Sequence, residues 1–301
     1  PFAVLLVVLG AGEVLKLVEW TRPTGEPIRV ALVQGNVPQE MKWRPEQAAQ
    51  TLSDYAAHIR AARAQLVVLP ETAFPVFYRD LPPSYLAELR GLAGERGADI
   101  LAGVPTGDLA GAYYNSVVSI GEAPPQFYHK HHLVAFGEFI PPGFGWIVKV
   151  LHIPLSDFAR GGKDQPPMSV AGQKVAVNIC YEDVFGEEII RPLPEATLLV
   201  NVTNDAWFGE SFAGWQHAQM SQMRALESGR TMLRATNTGV TAIIDHKGRV
   251  LSALPEFVTA TLAGEVQGYE GMTPYARWGN APVVVLLIVL LAWVALRQRR
   301  I

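Results

Sequence analysis

LVVLP, residues 66–70, is short and wholly apolar. A strand points alternate side chains to opposite faces, so a run with no polar alternation has to be covered on both sides. DILAGV (99–104) reads as the next buried strand, and IRVALVQ (28–34), KVAVNIC (174–180), TLLVNVT (197–203) and VTAIIDH (240–246) as further ones. Helical patterns lie between them. Residues 45–64 open on Pro45 and repeat Leu52, Tyr55, Ala56 and Ile59 at helical spacing. Residues 82–97 form a second such run, with Gly97 as its stop. Residues 215–235 read as one helix on which Met220, Met223, Glu227 and Arg230 share a face, so the methionines are expected to pack. NSVVSI (115–120) and QFYHK (126–130) flank a GEAPP loop as a hairpin. Strands alternating with helices give an α/β fold, and the antiparallel pieces make its sheet mixed.

Composition matters at the two ends. Apolar residues make up 49% of the 301 and charged residues 18%, and the excess is terminal. APVVVLLIVLLAWVAL (281–296) is followed by RQRR (297–300). Its sixteen uncharged residues make about 24 Å of helix, near the ~30 Å of a hydrocarbon core. Trp278 suits a headgroup belt, and RQRR would be cytoplasmic by the positive-inside rule. Everything before residue 278 would then face outward. The chain starts on Pro1 in full hydrophobicity with no basic lead, as the exit half of another membrane helix would, and Glu13, Lys16 and Glu19 mark its emergence. A net charge of −3 argues against nucleic acid as a partner.

Three apolar strands end in reactive groups, where α/β sheets gather their chemistry. Glu71 follows LVVLP, where a partly desolvated carboxylate suits a general base, although a solvated loop acid is the blander reading. Lys130 stands in HKHH with His129, His131 and His132. Four contiguous residues without a second ligand cluster do not make a zinc site, so no metal and no cofactor is expected. A lysine there could hold an oxyanion, and Glu138 in FGEF is a second acid nearby in sequence. Cys180, the single cysteine, precedes Tyr181, Glu182 and Asp183. A helix starting there would favour its thiolate, but a lone thiol can equally be a small buried hydrophobe. Base, ammonium and thiol together are what acyl transfer through a thioester requires.

LPETAFP, YHKHHLVAFGEF and NICYED, in that order, resemble the nitrilase superfamily of carbon–nitrogen hydrolases. VALVQGNVPQEMKW, NDAWFG, WQHAQM, RALESGR, TNTG, GMTPYARWGN and the final RQRR are similar to its membrane branch, the apolipoprotein N-acyltransferases. The resemblance implies an α/β/β/α sandwich flanked by transmembrane helices. Residues 1–19 would end one membrane helix, 20–277 form the catalytic domain and 278–301 form the C-terminal helix. It implies Glu71 as general base, Lys130 as oxyanion holder, Cys180 as nucleophile and Glu138 as an additional essential acid. Trp43, Tyr181 and Glu182 match supporting positions, with Trp43 on an arm near the lipid entrance. The implied substrates are a phospholipid acyl donor and a diacylglyceryl-cysteine apolipoprotein acceptor. The implied enzyme is a monomer of the bacterial inner membrane with its catalytic domain outside the cytoplasm. A membrane-tethered amidase would use the same three residues with water as acceptor. A non-catalytic binding domain should have lost one of them.

Overall fold

The computed structural model describes residues 2–15, 17–40, 42–107, 111–141 and 157–298. Lys16, Arg299 and Arg300, which carry part of the membrane reading, lie outside these residues.

Helix α1 (Phe2–Leu15) leads into β1 (Thr21–Gln34), α2 (Pro45–Ala61), β2 (Leu66–Val68), α3 (Pro83–Gly94), β3 (Asp99–Gly107), β4 (Tyr113–Ile120) and β5 (Phe127–His129). The second half runs β6 (Met168–Val170), β7 (Gln173–Ile179), α4 (Gly186–Ile189), β8 (Leu198–Thr203), α5 (Ala213–Ser228), β9 (Thr231–Thr236), β10 (Ala242–Ile244) and β11 (Val250–Ala253). The chain then returns through β12 (Ala260–Gly271), α6 (Pro274–Trp278) and α7 (Ala281–Gln298). Two sheets result, ordered β12-β1-β2-β3-β4-β5 and β11-β10-β9-β8-β7-β6. Each has a parallel centre, β1-β2-β3 or β7-β8-β9, with antiparallel strands outside it. The expected mixed sheet is therefore two mixed sheets.

The wholly apolar strands are covered on both sides, as their composition requires. Leu66 and Val68 of β2 join Leu32, Leu101 and Val117 against Val175, Val177, Ile179, Val200 and Val202 of the other sheet. Val67 and Leu69 face the other way, onto Leu52, Tyr55 and Ile59 of α2 and Leu89 of α3. Beyond the second sheet, Leu199, Met232 and Ile244 pack on Ala218 and Ala225 of α5. The layers are thus α/β/β/α. Burying each Val or Leu contributes about 1.5–3 kcal/mol, so both the layer between the sheets and the one beneath α2 and α3 hold the fold together.

Two expectations fail on α5. The helix stops at Ser228, Gly229 turns left-handed with φ +64°, and the next stretch is β9, buried along its whole length. TMLRA fits a helical period, but its place between β8 and β10 makes it a central strand. Met220 and Met223 do not pack, and are 38% and 47% exposed. Helix α3, by contrast, closes on Gly97 as expected: with φ +57° its N–H donates to the Gly94 carbonyl at 3.2 Å, and the Ala98 N–H donates to the Ala93 carbonyl at 2.9 Å. At the far end, α7 is long and apolar enough to cross a membrane, and none of it is buried.

Candidate active site

Glu71, Lys130 and Cys180 converge from three strands. Glu71 follows β2, Lys130 follows β5 directly, and Cys180 is the first residue after β7. The Lys130 Nζ lies 2.8 Å from Glu138 Oε1 and 3.6 Å from Glu71 Oε1. Asn115 of β4 holds the two acids apart, its Nδ2 donating to Glu71 Oε1 at 2.7 Å and to Glu138 Oε1 at 2.9 Å. The other Glu71 oxygen accepts the Asn204 N–H at 2.8 Å, so the carboxylate is pinned from both sheets. Glu138 Oε2 accepts the Val134 N–H at 2.9 Å, which fixes the FGEF loop.

Cys180 is half-buried and adopts φ +54°, a left-handed conformation rare outside glycine. It opens a 3-10 turn, Cys180–Val184, rather than a helix long enough to favour a thiolate. Burial and then the Glu71 charge push the thiol well above its ordinary range, and Lys130 offsets only part of this. The expected helix-stabilised thiolate is thus corrected to a protonated thiol. Lys130 behaves oppositely. Burial works against its charge, but Glu71, the Cys180 site and Glu138 together hold its pKa above the usual value. The resting site therefore holds a thiol next to a fixed ammonium, and the thiol needs a base at the moment of attack.

Glu182 is not a loose helix-start acid. It is buried, and its Oε1 accepts the N–H groups of His131 at 2.7 Å and His132 at 3.0 Å. Its Oε2 accepts Ile179 N–H at 2.7 Å and the Tyr128 hydroxyl at 3.0 Å. One carboxylate thus ties the lysine segment to the cysteine turn. Burial raises its pKa, against the pull of Lys130 and of these N–H donors. Tyr181 and Trp43 are 41% and 37% exposed, at the surface beside the site. The three histidines go to separate partners: His129 to Ser116, His131 to the Gly161 carbonyl, and His132 to Glu188 and the Phe185 ring.

Several residues of the site carry no local signal in the sequence. Lys42, beside Trp43, is buried and donates to the Glu71 carbonyl oxygen at 2.9 Å. Burial lowers its pKa to about 8, against the attraction of Glu71 and Cys180. Beneath the cysteine lies a buried ionic cluster of Asp183, Asp205, His217 and Arg234. His217 stands in a stretch singled out in the sequence, WQHAQM, but nothing there marks it as a partner of the cysteine turn.

The sequence model described as carbon-nitrogen hydrolase matches residues 29–275. The chain belongs to that family. Its curated relatives include the apolipoprotein N-acyltransferases of Nitrosomonas europaea, 56% identical over 94% of this chain and 59% of the relative, and of Chromobacterium violaceum, 50% identical over 94% and 57%. That of Methylococcus capsulatus is 48% identical over 98% of this chain and 59% of the relative, so the chain spans under two thirds of each. Among solved structures, a CN-hydrolase superfamily protein of Xanthomonas campestris, with an arsenic adduct in its active site, aligns with TM-score 0.62 at 19% identity, covering 87% of this chain and 97% of its own. Nit3 of Saccharomyces cerevisiae aligns with TM-score 0.61 at 18% identity, covering 81% and 91%. At these identities the likeness is one of fold.

Proposed function

We propose that this chain is the catalytic part of an apolipoprotein N-acyltransferase. It moves an acyl chain from a phospholipid, through a thioester on Cys180, to the α-amine of a diacylglyceryl-cysteine lipoprotein. The observation that carries this reading is a thiol, a carboxylate and an ammonium held together, with a run of exposed aromatics in the segment after Asn204. Trp207, Phe208, Phe212 and Trp215 are 64%, 53%, 84% and 54% exposed, and they follow directly on Asn204, which holds Glu71. Exposed aromatics in a segment tied to the site through Asn204 suit lipid better than a small soluble amide. The names of the relatives support the same substrates.

In the first half-reaction Glu71 takes the thiol proton as Sγ bonds to the ester carbonyl carbon. Lys130, fixed by Glu138, faces the oxyanion together with a backbone N–H of the cysteine turn. The C–O bond then breaks, and Glu71 returns the proton to the leaving alkoxide, giving a lysophospholipid. In the second half the amine attacks the thioester, Glu71 takes its proton, and the departing thiolate recovers one. Trp43 and Tyr181 support lipid entry from the surface, and Glu182 supports the site from beneath.

Residues 1–19 and 278–301 are the membrane-spanning ends around a catalytic domain at 20–277. The domain lies on the extracytoplasmic side of the bacterial inner membrane, and the basic end lies in the cytoplasm. The test is the intact mass of the full-length protein in detergent after incubation with phosphatidylethanolamine, with Cys180→Ala as control. A fatty-acyl adduct that neutral hydroxylamine removes, that the control lacks and that passes to a lipopeptide amine is the expected result. No adduct, with turnover of small amides instead, would make the chain an amidase.

A further inference from the structure

Cys180 sits in a left-handed conformation that its own backbone disfavours, and a non-glycine residue held there is strained. Something must hold the turn. Its carbonyl oxygen accepts two buried donors, Asn201 Nδ2 and His217 Nε2, each at 3.2 Å. His217 lies on α5, within the WQHAQM stretch, and is 8% exposed. Its Nδ1 is 2.8 Å from Asp205 Oδ1, and its Nε2 is 3.0 Å from Asp183 Oδ1. Both ring nitrogens therefore face only oxygens that accept. A neutral imidazole would aim a lone pair at one of these carboxylates, whereas an imidazolium donates to both.

Charge counting gives the same answer. Asp183 comes from the turn after β7 and Asp205 from the turn after β8. Arg234 of β9, fully buried, lies 3.4 Å from Asp183 Oδ2 and 3.0 Å from Asp205 Oδ2. It also donates to Asn201 at 2.7 Å and to Ser221 at 3.0 Å. Glu256, whose carboxyl is raised by burial, feels Asp205 from the outer side. Two carboxylates and one guanidinium leave a buried excess of one negative charge, and a charged His217 cancels it. An uncancelled charge of that sign would oppose formation of a thiolate at Cys180.

We propose that His217 is a positioning residue: as an imidazolium it neutralises the Asp183–Asp205–Arg234 cluster and clamps the Cys180 carbonyl, holding the nucleophile turn in its left-handed state. Burial and Arg234 act against its proton, and Asp183 and Asp205 outweigh them, moving its pKa up to about 9. The clamp is complete below the ordinary imidazole range and is lost as pH rises through that value. This rests on Cys180 being the reacting group, but not on the identity of any acyl donor.

The test is the rate of Cys180 alkylation by iodoacetamide from pH 6 to 10, read by peptide mass on the full-length protein in detergent. It needs no lipid, so it stands or falls separately from acyl transfer. The intact protein should show, besides the thiol's own rise, a break near pH 9. Asp205→Asn keeps the side-chain shape and removes one carboxylate, so the break should move towards the ordinary histidine range. His217→Gln should react about tenfold slower near pH 7, the effect of one pKa unit, and show no break near 9. Adding Asp205→Asn to His217→Gln restores neutrality and should recover most of the rate. A profile of Asp205→Asn that superimposes on the parent overturns the proposal even if His217→Gln fails to fold. So does a double variant slower than His217→Gln alone.

Discussion

Glu182 spends all of its accepting capacity on four donors from two segments, and this makes it the sharpest single-residue test of how the site is held. Glu182→Gln keeps the shape but turns one accepting oxygen into a donor facing other donors. Urea unfolding should show a loss of about 1–3 kcal/mol, the usual cost of unsatisfied buried groups. Acyl transfer should fall too, because His131 adjoins Lys130. Tyr128→Phe removes one of the four bonds and leaves nothing opposed, so about 1 kcal/mol is expected. Equal losses from both variants would mean that the carboxylate is not the brace. Glu71 and Cys180 were legible in the sequence because each follows a buried apolar strand, whereas Lys130, after the half-exposed edge strand β5, stood out by its place in HKHH. Lys42, Asn115 and His217 were not legible. Their importance lies in what they meet across as many as 29, 44 and 37 positions of chain, and no local pattern records that.

Where elements touch, the decisive spot is β3 against the turn that carries Glu71. The Phe74 N–H donates to the Gly103 carbonyl at 3.1 Å, and a Cβ on Gly103 would meet the Pro70 oxygen and the Thr72 nitrogen, and come within 2.7 Å of the Glu71 Cα. All three neighbours are backbone, so the turn would have to move. Gly103→Ala should destabilise by about 1–3 kcal/mol, as overpacking does, and lower acyl transfer by ~100-fold through a displaced base. Gly91→Ala on α3 meets open space and should gain about 0.5–1 kcal/mol. Melting curves and single-turnover rates of the pair check both, and near-parental acylation in Gly103→Ala would show that Glu71 tolerates displacement. The elements themselves were largely readable. The hairpin of β4 and β5 and the buried face of α2 stand where the pattern put them. The β9 segment was lost to a helix because TMLRA satisfies both periods. Gly229 was the stop signal that should have divided them.

For the molecule as a whole, α7 gives the clearest expectation. A protease added outside intact spheroplasts should spare a tag placed after residue 301. Leu287→Arg with Leu290→Arg adds ~2.5–3.5 kcal/mol per charge at mid-membrane, and should leave the same tag outside and cleavable. Cleavage of the parent's tag would reverse the proposed orientation. The two-sheet build has its own consequence. Glu71 and Lys130 arrive on one sheet and Cys180 on the other, so the aliphatic layer between the sheets is a spacer that sets how far the proton must travel. Its thickness is set by branched aliphatic side chains, at residues such as Val68, Val117, Val177 and Val200. Enlarging or trimming one of these should retune the reaction rate from positions that no substrate ever reaches.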